Sequence, residues 1–288
     1  MNANFLRPLL GALLLAAPAG VAAGLAVAAT AADTEQRLRA AIEAPGRSAE
    51  NRARDGARHP LETLVFFGIE PDMRVLELWP GRGWYTEILG PYLKQQGRLA
   101  VTLADPEVPA NRMARDYQAW LEAERERLGA VETVLVDPPG KLDLGPAGTY
   151  DAVVTFRNNH TWIRGGYHDA IYAEVFRVLR PGGVLGVVQH RAPEGADAEA
   201  SAERGYVPEA AVIAAAERAG FELAGSSEVN ANPKDTRDHP EGVWTLPPSY
   251  RLGEQDRARY EAIGESDRMT LRFVKPGSPG GPSDQTPG

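Results

Sequence analysis

The sequence predicts an α/β fold, and three observations carry it. Residues 75–78 form an apolar run. A Pro80/Gly81/Gly83 turn follows, and then Trp84, Tyr85, Ile88, Leu89 and Tyr92 recur at helical spacing. Further apolar runs at 99–104, 131–136 and 150–156 each end in a polar or proline-containing turn, with helix-spaced stretches among them. Residues 184–188 are a further such run. It follows an amphipathic stretch, 167–179, directly through Arg180-Pro181-Gly182-Gly183. Short apolar runs bounded by turns in this way suit strands buried on both faces, as in a parallel sheet.

The first of these units organises the chain. Gly81 and Gly83 lack a Cβ, so backbone can approach a ligand closely there, and the following helix start offers unpaired N–H groups. Glu77 stands at the carboxyl end of the first strand, where open α/β sheets bind ligands. The plain alternative is a tight strand-to-helix turn that binds nothing.

Glu77-x-x-x-Gly81-x-Gly83 resembles motif I of the class I methyltransferases that use S-adenosylmethionine (SAM). That family has an acid and then three glycines at alternate positions. Here Trp79 stands where the first glycine is expected, and Pro80 follows it. The 167–188 stretch, helix, Leu-Arg-Pro-Gly-Gly turn and strand, resembles the fifth-strand unit of the same family and is independent of the glycine turn. The resemblance covers 61–275. It implies a doubly wound, mostly parallel seven-stranded sheet with an antiparallel last strand, and methyl transfer from SAM to a small-molecule acceptor that the sequence does not identify.

Taken in order, the chain opens with Arg7 and an alanine- and leucine-rich run, 8–29, with small residues at Ala29-Thr30-Ala31. This resembles a secretory signal peptide cleaved before residue 33, so the protein is expected to be exported to the periplasm. An uncleaved anchor, with membrane association through 8–29, is the competing reading, although Pro18, Gly20 and Gly24 weaken such a helix. Residues 33–60 read as a helical extension, with Arg52, Arg54 and Arg58 on a solvated face. Residues 61–67 form a more apolar helix ended by Gly68, and in the resembled family such a helix covers the SAM pocket.

The second strand ends at Asp105-Pro106. An acid about 20 residues beyond a glycine turn commonly accepts hydrogen bonds from ribose hydroxyls, and position assigns Asp105 that role. The alternative is a turn-forming Asp before Pro. Residues 110–128 read as a charged helix with its apolar stripe in the core. The third strand ends at Asp137, which the resemblance places near the adenine. Asp137-Pro138-Pro139 also looks like the catalytic motif of amino-group methyltransferases. It comes one strand too early for that role and lacks the aromatic fourth residue.

After the fourth strand come Asn158, Asn159 and His160. Asn side chains position amines or hydroxyls, and His serves as a base near neutral pH. The resemblance places this loop at the acceptor. The competing reading has the two asparagines satisfying turn backbone and His160 packed. A helix opens at Val207-Pro208, and residues 221–229 form the sixth strand. Residues 269–275 alternate as the reversed seventh. Between them lies an insert, 230–267, expected to lid the cleft. Residues 276–288 read as a disordered Pro/Gly/Ser-rich tail.

Composition excludes several classes. Hydrophobic content of 43% with 24% charged residues suits a soluble globular chain. A net charge of −8 argues against nucleic acid as a partner. The absence of cysteine rules out disulfides, thiolate metal sites and cysteine nucleophiles, and the five histidines show no metal-ligand spacing. Two rival functions stand beside methyl transfer. One is a ligand-binding or scaffold protein that keeps the fold without catalysis, which Trp79 favours. The other is a nicotinamide-dependent oxidoreductase, disfavoured by the reversed last strand. Oligomeric state is not legible.

Overall fold

The computed structural model describes residues 19–277. Much of the 8–29 segment expected to direct export, and nearly all of the 276–288 tail, lie outside the described residues. Among the described residues no helix is long and apolar enough to cross a membrane.

Helices α1 (Ala19–Ile42), α2 (Ala49–Arg52), α3 (Asp55–Arg58) and α4 (Pro60–Phe67) precede strand β1 (Arg74–Leu78). Helix α5 (Thr86–Leu93), strand β2 (Arg98–Leu103), helices α6 (Arg112–Ala123) and α7 (Arg125–Leu128), strand β3 (Glu132–Leu135) and strand β4 (Tyr150–Phe156) follow. The second half runs α8 (Asn159–Arg164), α9 (His168–Val178), β5 (Leu179–His190), α10 (Ala198–Glu203), α11 (Glu209–Ala219), β6 (Glu222–Ser227), α12 (Arg257–Ile263) and β7 (Arg268–Val274). The strands form one sheet in the order β3-β2-β1-β4-β5-β7-β6. β1 to β5 pair in parallel, and β7 runs antiparallel to both β5 and β6. This is the seven-stranded, doubly wound sheet with a reversed last strand that the resemblance implies. Strand order turns back between β1 and β4, which opens a crevice beyond their carboxyl ends.

Helices cover both faces. Val75, Val101, Ala152 and Val154 meet α1, α4, α5 and α6 on one side, through Leu38, Phe67, Ile88 and Tyr117 among others. Leu76, Leu78, Val153 and Leu185 meet α8, α9 and α11 on the other. Because strand side chains alternate, Glu77 falls on the α5 face, between Leu76 and Leu78 on the opposite face. Local chemistry sets several helix ends. Pro60 occupies the first turn of α4, and Gly68 closes it in the left-handed region at φ 71. Asp197 caps α10 by accepting from the Ala200 N–H.

Three elements differ from the sequence expectation. The helix expected over 110–128 breaks at Glu124 into α6 and α7. The loop after β4 winds into the short helix α8. The Arg180–Gly183 turn is drawn into the start of β5, where the β4 register shifts between Tyr150 and Ala152.

One strand glycine is a packing requirement. A Cβ on Gly186 would lie 2.4–2.7 Å from ring atoms of Phe67, which is fully buried. Gly186→Ala is expected to destabilise the fold by about 1–3 kcal/mol, with Phe67→Leu in the same chain restoring part of the loss. Thermal unfolding of the single and double variants checks this, and equal melting of Gly186→Ala and the parent would overturn it.

Candidate functional site

A cavity of about 340 Å³ lies beyond the carboxyl ends of β1 and β4, at the point where strand order turns back. The β1 turn supplies Glu77, Trp79 and Gly81 to its floor, and the ends of β4 and β5 supply Arg157, Asn158 and His190. Asn51, Arg54 and Arg58, from the α2–α3 segment, form one wall. The insert contributes Trp244, Pro247, Pro248, Glu265 and Ser266 opposite, so it roofs the crevice. Buried polar bonds hold the insert there. Asp235 accepts from His239 Nε2 at 2.8 Å and from the Asp267 N–H at 2.8 Å, and Asn230 Nδ2 donates to Thr63 and Thr270, both at 2.9 Å.

The β1 turn divides its tasks among its residues. Trp79 takes φ 44, unusual for a residue with a side chain. Its N–H donates to Thr102 Oγ1 at 2.7 Å, and its indole packs on Trp162 with ring centroids 5.4 Å apart. Gly81, at φ 62, has nothing within 4 Å of the place a Cβ would occupy. Gly83, at φ 81, would put a Cβ 2.7 Å from the Trp120 ring. Gly81 therefore leaves room at the cavity, whereas Gly83 makes room for Trp120. Glu77 is 1% exposed and accepts from Thr86 Oγ1 at 2.7 Å. Burial pushes its carboxyl up to about 7, against the Thr86 bond and the Arg157 charge.

The segment after β4 is less uniform than its polar sequence suggests. Asn158 Nδ2 donates to the Leu78 carbonyl at 2.9 Å and to Thr155 Oγ1 at 3.1 Å, tying the ends of β1 and β4 together at the cavity edge. Asn159 is fully buried, and its Oδ1 accepts from Tyr172 at 2.8 Å and faces His168 Nε2 at 2.9 Å. His160 lines the cavity, 6.0 Å from the His190 ring and 5.9 Å from Trp244 between centroids. Burial pushes His160 down to about 4 and, reinforced by the Arg157 charge, pushes His190 well below the usual imidazole range. Both rings are uncharged at neutral pH.

Four of the sequence candidates, Glu77, Gly81, Asn158 and His160, thus meet in one cavity, and Gly83, Asn159, Asp105 and Asp137 are not in its lining. Asp105 is half-buried and accepts from the Glu107 N–H at 2.9 Å, which closes its own turn. Asp137 is exposed, and its backbone pairs with Lys141. No residue from the end of β2 or β3 lines the cavity.

Sequence reasoning missed the arginines. Arg52 is exposed as expected, but Arg58 is 3% exposed and Arg54 half-buried. Glu265 gathers them. Arg54 Nε lies 2.6 Å from it, Arg268 Nη2 3.1 Å and Arg58 Nε 3.5 Å. Burial alone would raise the Glu265 carboxyl, yet Arg268, Arg54 and Arg58 together hold it down at about 2. The Arg58 guanidinium lies 4.6 Å above the Trp84 ring. The Arg54/Arg58 spacing of four and an Arg directly at a strand end were the available signals, but Glu265 is 211 residues from Arg54. Among the described residues no group of three or more His, Asp or Glu is placed to hold a metal ion. A second, more open recess of about 710 Å³ continues past Gly81 and Arg82 toward Tyr117 and Trp120.

No family model matches the chain, and no curated protein matches it in sequence. Its fold is similar to that of a SAM-dependent methyltransferase from Aquifex aeolicus, with a TM-score of 0.52, 15% identity, and 84% of this chain and 98% of that chain covered. It is also similar to the [4+2]-cyclase SpnF, with a TM-score of 0.51, 18% identity, and 82% of this chain and 86% of that chain covered. At such identities the likeness is one of fold: the chain has the Rossmann-like methyltransferase fold.

Glu77 makes stability depend on pH. Its carboxyl titrates at about 7 when folded, against a reference value of 4.5. Between those values the folded state keeps a proton that the unfolded chain has lost, so this group's contribution to stability falls as pH rises. Glu77→Gln keeps an acceptor for Thr86 and removes the slope. Denaturant unfolding should show the variant gaining about 2–3 kcal/mol on the parent between about pH 5 and about pH 8. Taking the difference cancels the opposite contribution of His160, whose depressed pKa lends stability that is lost as pH falls from 6.5 toward about 4. A difference independent of pH would overturn the assignment.

Proposed function

We propose that the chain transfers a methyl group from SAM to an acceptor held in the same cavity. One observation carries the reading. The cavity lies at the switch point of a methyltransferase-type sheet, floored by an open glycine and a buried carboxyl and roofed by the insert. The residues present fit the amino-acid end of SAM. Gly81 leaves its backbone open to a ligand, and the Glu77 carboxyl can accept from an ammonium group. When bound, SAM would supply a methyl group made electrophilic by its sulfonium sulfur.

The chain's own residues would do the rest. Trp244, Pro247 and Pro248 exclude water from the roof, and Asn158 keeps the β1 and β4 ends in register beneath it. His160 is uncharged at neutral pH and is placed to take a proton from an O–H or N–H nucleophile. With a pKa near 4 it is a weak base, so positioning the acceptor carries more of the work than proton removal. The apolar 8–29 segment supports export as part of this reading, in which SAM would have to reach the protein outside the cytosol.

A second reading, a binding protein that keeps the fold without catalysis, is favoured by two observations. Trp79 occupies a glycine position, and Asp105 closes its own turn instead of facing the cavity. Calorimetric titration of the full chain with SAM and with its demethylated product separates the two. Methyl transfer predicts micromolar binding, weakened about tenfold or more by Gly81→Val, which fills open space at the cavity. Gly148→Ala is the control. It has a similar φ of 68 and open surroundings, lies outside the cavity, and should leave binding unchanged. Absence of binding to folded protein would sink the methyl-transfer reading and leave the second.

A further inference from the structure

The deep cavity holds more positive charge than it can pair. Arg54, Arg58 and Arg268 share the single carboxylate of Glu265. The other deep carboxyl, Glu77, is bonded to Thr86, and burial keeps it partly protonated near neutral pH. His160 and His190 are uncharged, and at the rim Arg82 and Glu50 are both exposed and offset one another. Two guanidiniums are left without adequate partners. Arg58 is 3% exposed, and its Nε and Nη1 make no hydrogen bond. Arg157 has no side-chain hydrogen bond or carboxylate partner among the described residues, and it stands at the β4 end with φ 67. Burial and the neighbouring arginines push Arg58 down to about 8 and Arg157 down to about 10. Buried cations without partners are costly, and strained backbone at a cavity wall persists where surrounding structure enforces it.

We infer that the acceptor carries an acidic oxyanion, a carboxylate or a phosphate, clamped between Arg58 and Arg157. Guanidinium forks match both anions in geometry, and stacking on Trp84 holds Arg58 rigid for that task. The inference deepens the methyl-transfer reading and rests on it for the word acceptor. The anion site itself rests only on the arginines. SAM carries a sulfonium, an ammonium and a carboxylate, a net charge of +1, so it adds to the positive excess, whereas an anionic acceptor removes it. The two ligands should therefore favour each other's binding, by the same factor in each direction. The rival occupant with the same chemistry is the carboxylate of SAM itself.

Inorganic phosphate is the probe, titrated into the full chain at constant ionic strength with chloride as the reference anion. Binding is read by calorimetry and by tryptophan fluorescence. Arg157→Gln should weaken phosphate about tenfold or more. Arg157→Lys should fall between that variant and the parent, since it keeps the charge but loses the fork. Arg82→Gln, at the exposed rim, should change little. Circular dichroism and melting establish that each variant is folded.

SAM titrations then separate the sources. Phosphate that leaves SAM binding intact or strengthens it, with Arg157→Gln still binding SAM, supports the acceptor site. Phosphate that competes with SAM, with Arg157→Gln losing both, overturns it in favour of the SAM carboxylate. Phosphate binding no better than chloride also overturns it. Phosphate bound through Arg157 with no SAM binding under any condition sinks methyl transfer while supporting the anion clamp.

Discussion

The cavity depends on one buried carboxylate. Glu265 sits among Arg54, Arg58 and Arg268, which come from the N-terminal helical segment and from the last strand. A carboxylate this buried is stable only because three cations surround it, and removing one partner of such a group typically costs about 3–5 kcal/mol. The same cluster reaches the backbone, since Arg268 Nη2 donates to the Ala57 carbonyl at 3.0 Å. Three parts of the chain distant in sequence are thereby drawn around one space. The Ser48 and Asn51 bonds to buried Glu87 add a second tie between the α2–α3 segment and the sheet's helical layer.

Backbone geometry does the complementary work from below. Trp79 and Arg157 follow neighbouring strands, and both adopt left-handed conformations that side chains disfavour. Each turns the chain sharply at the strand end. The Trp79 indole packs on Trp162 and Tyr167, while Arg157 borders the cavity. Asn158 bridges the two strand ends by bonding the Leu78 carbonyl. The floor is therefore rigid where a ligand would meet it, as positioning chemistry requires.

The electrostatics of the cavity are set by desolvation more than by any single pair. Burial neutralises His160 and His190, raises Glu77 and lowers the two unpaired arginines, each shift moving a group toward its uncharged form. Glu265 is the exception, because it alone has enough opposite charge in contact. A ligand entering such a space changes every one of these balances at once. Recognition and proton placement are coupled there by Coulomb interaction through a poorly screened interior.

The sequence by itself determined the sheet. Apolar runs bounded by glycine and proline turns located all seven strands, because burial on both faces demands such runs and turn chemistry ends them. It also placed Glu77, Gly81, Asn158 and His160 at one crevice, because they follow strands whose parallel pairing brings their carboxyl ends together. What lay beyond local pattern was which polar residues turn inward. Arg54 and Arg58 sit on short charged helices that look solvated, and Asp105 stands at a position that elsewhere meets a ribose. Only the tertiary structure set the arginines against Glu265 and left Asp105 capping its own turn, since a charged side chain's direction is decided by a partner that may lie two hundred residues away.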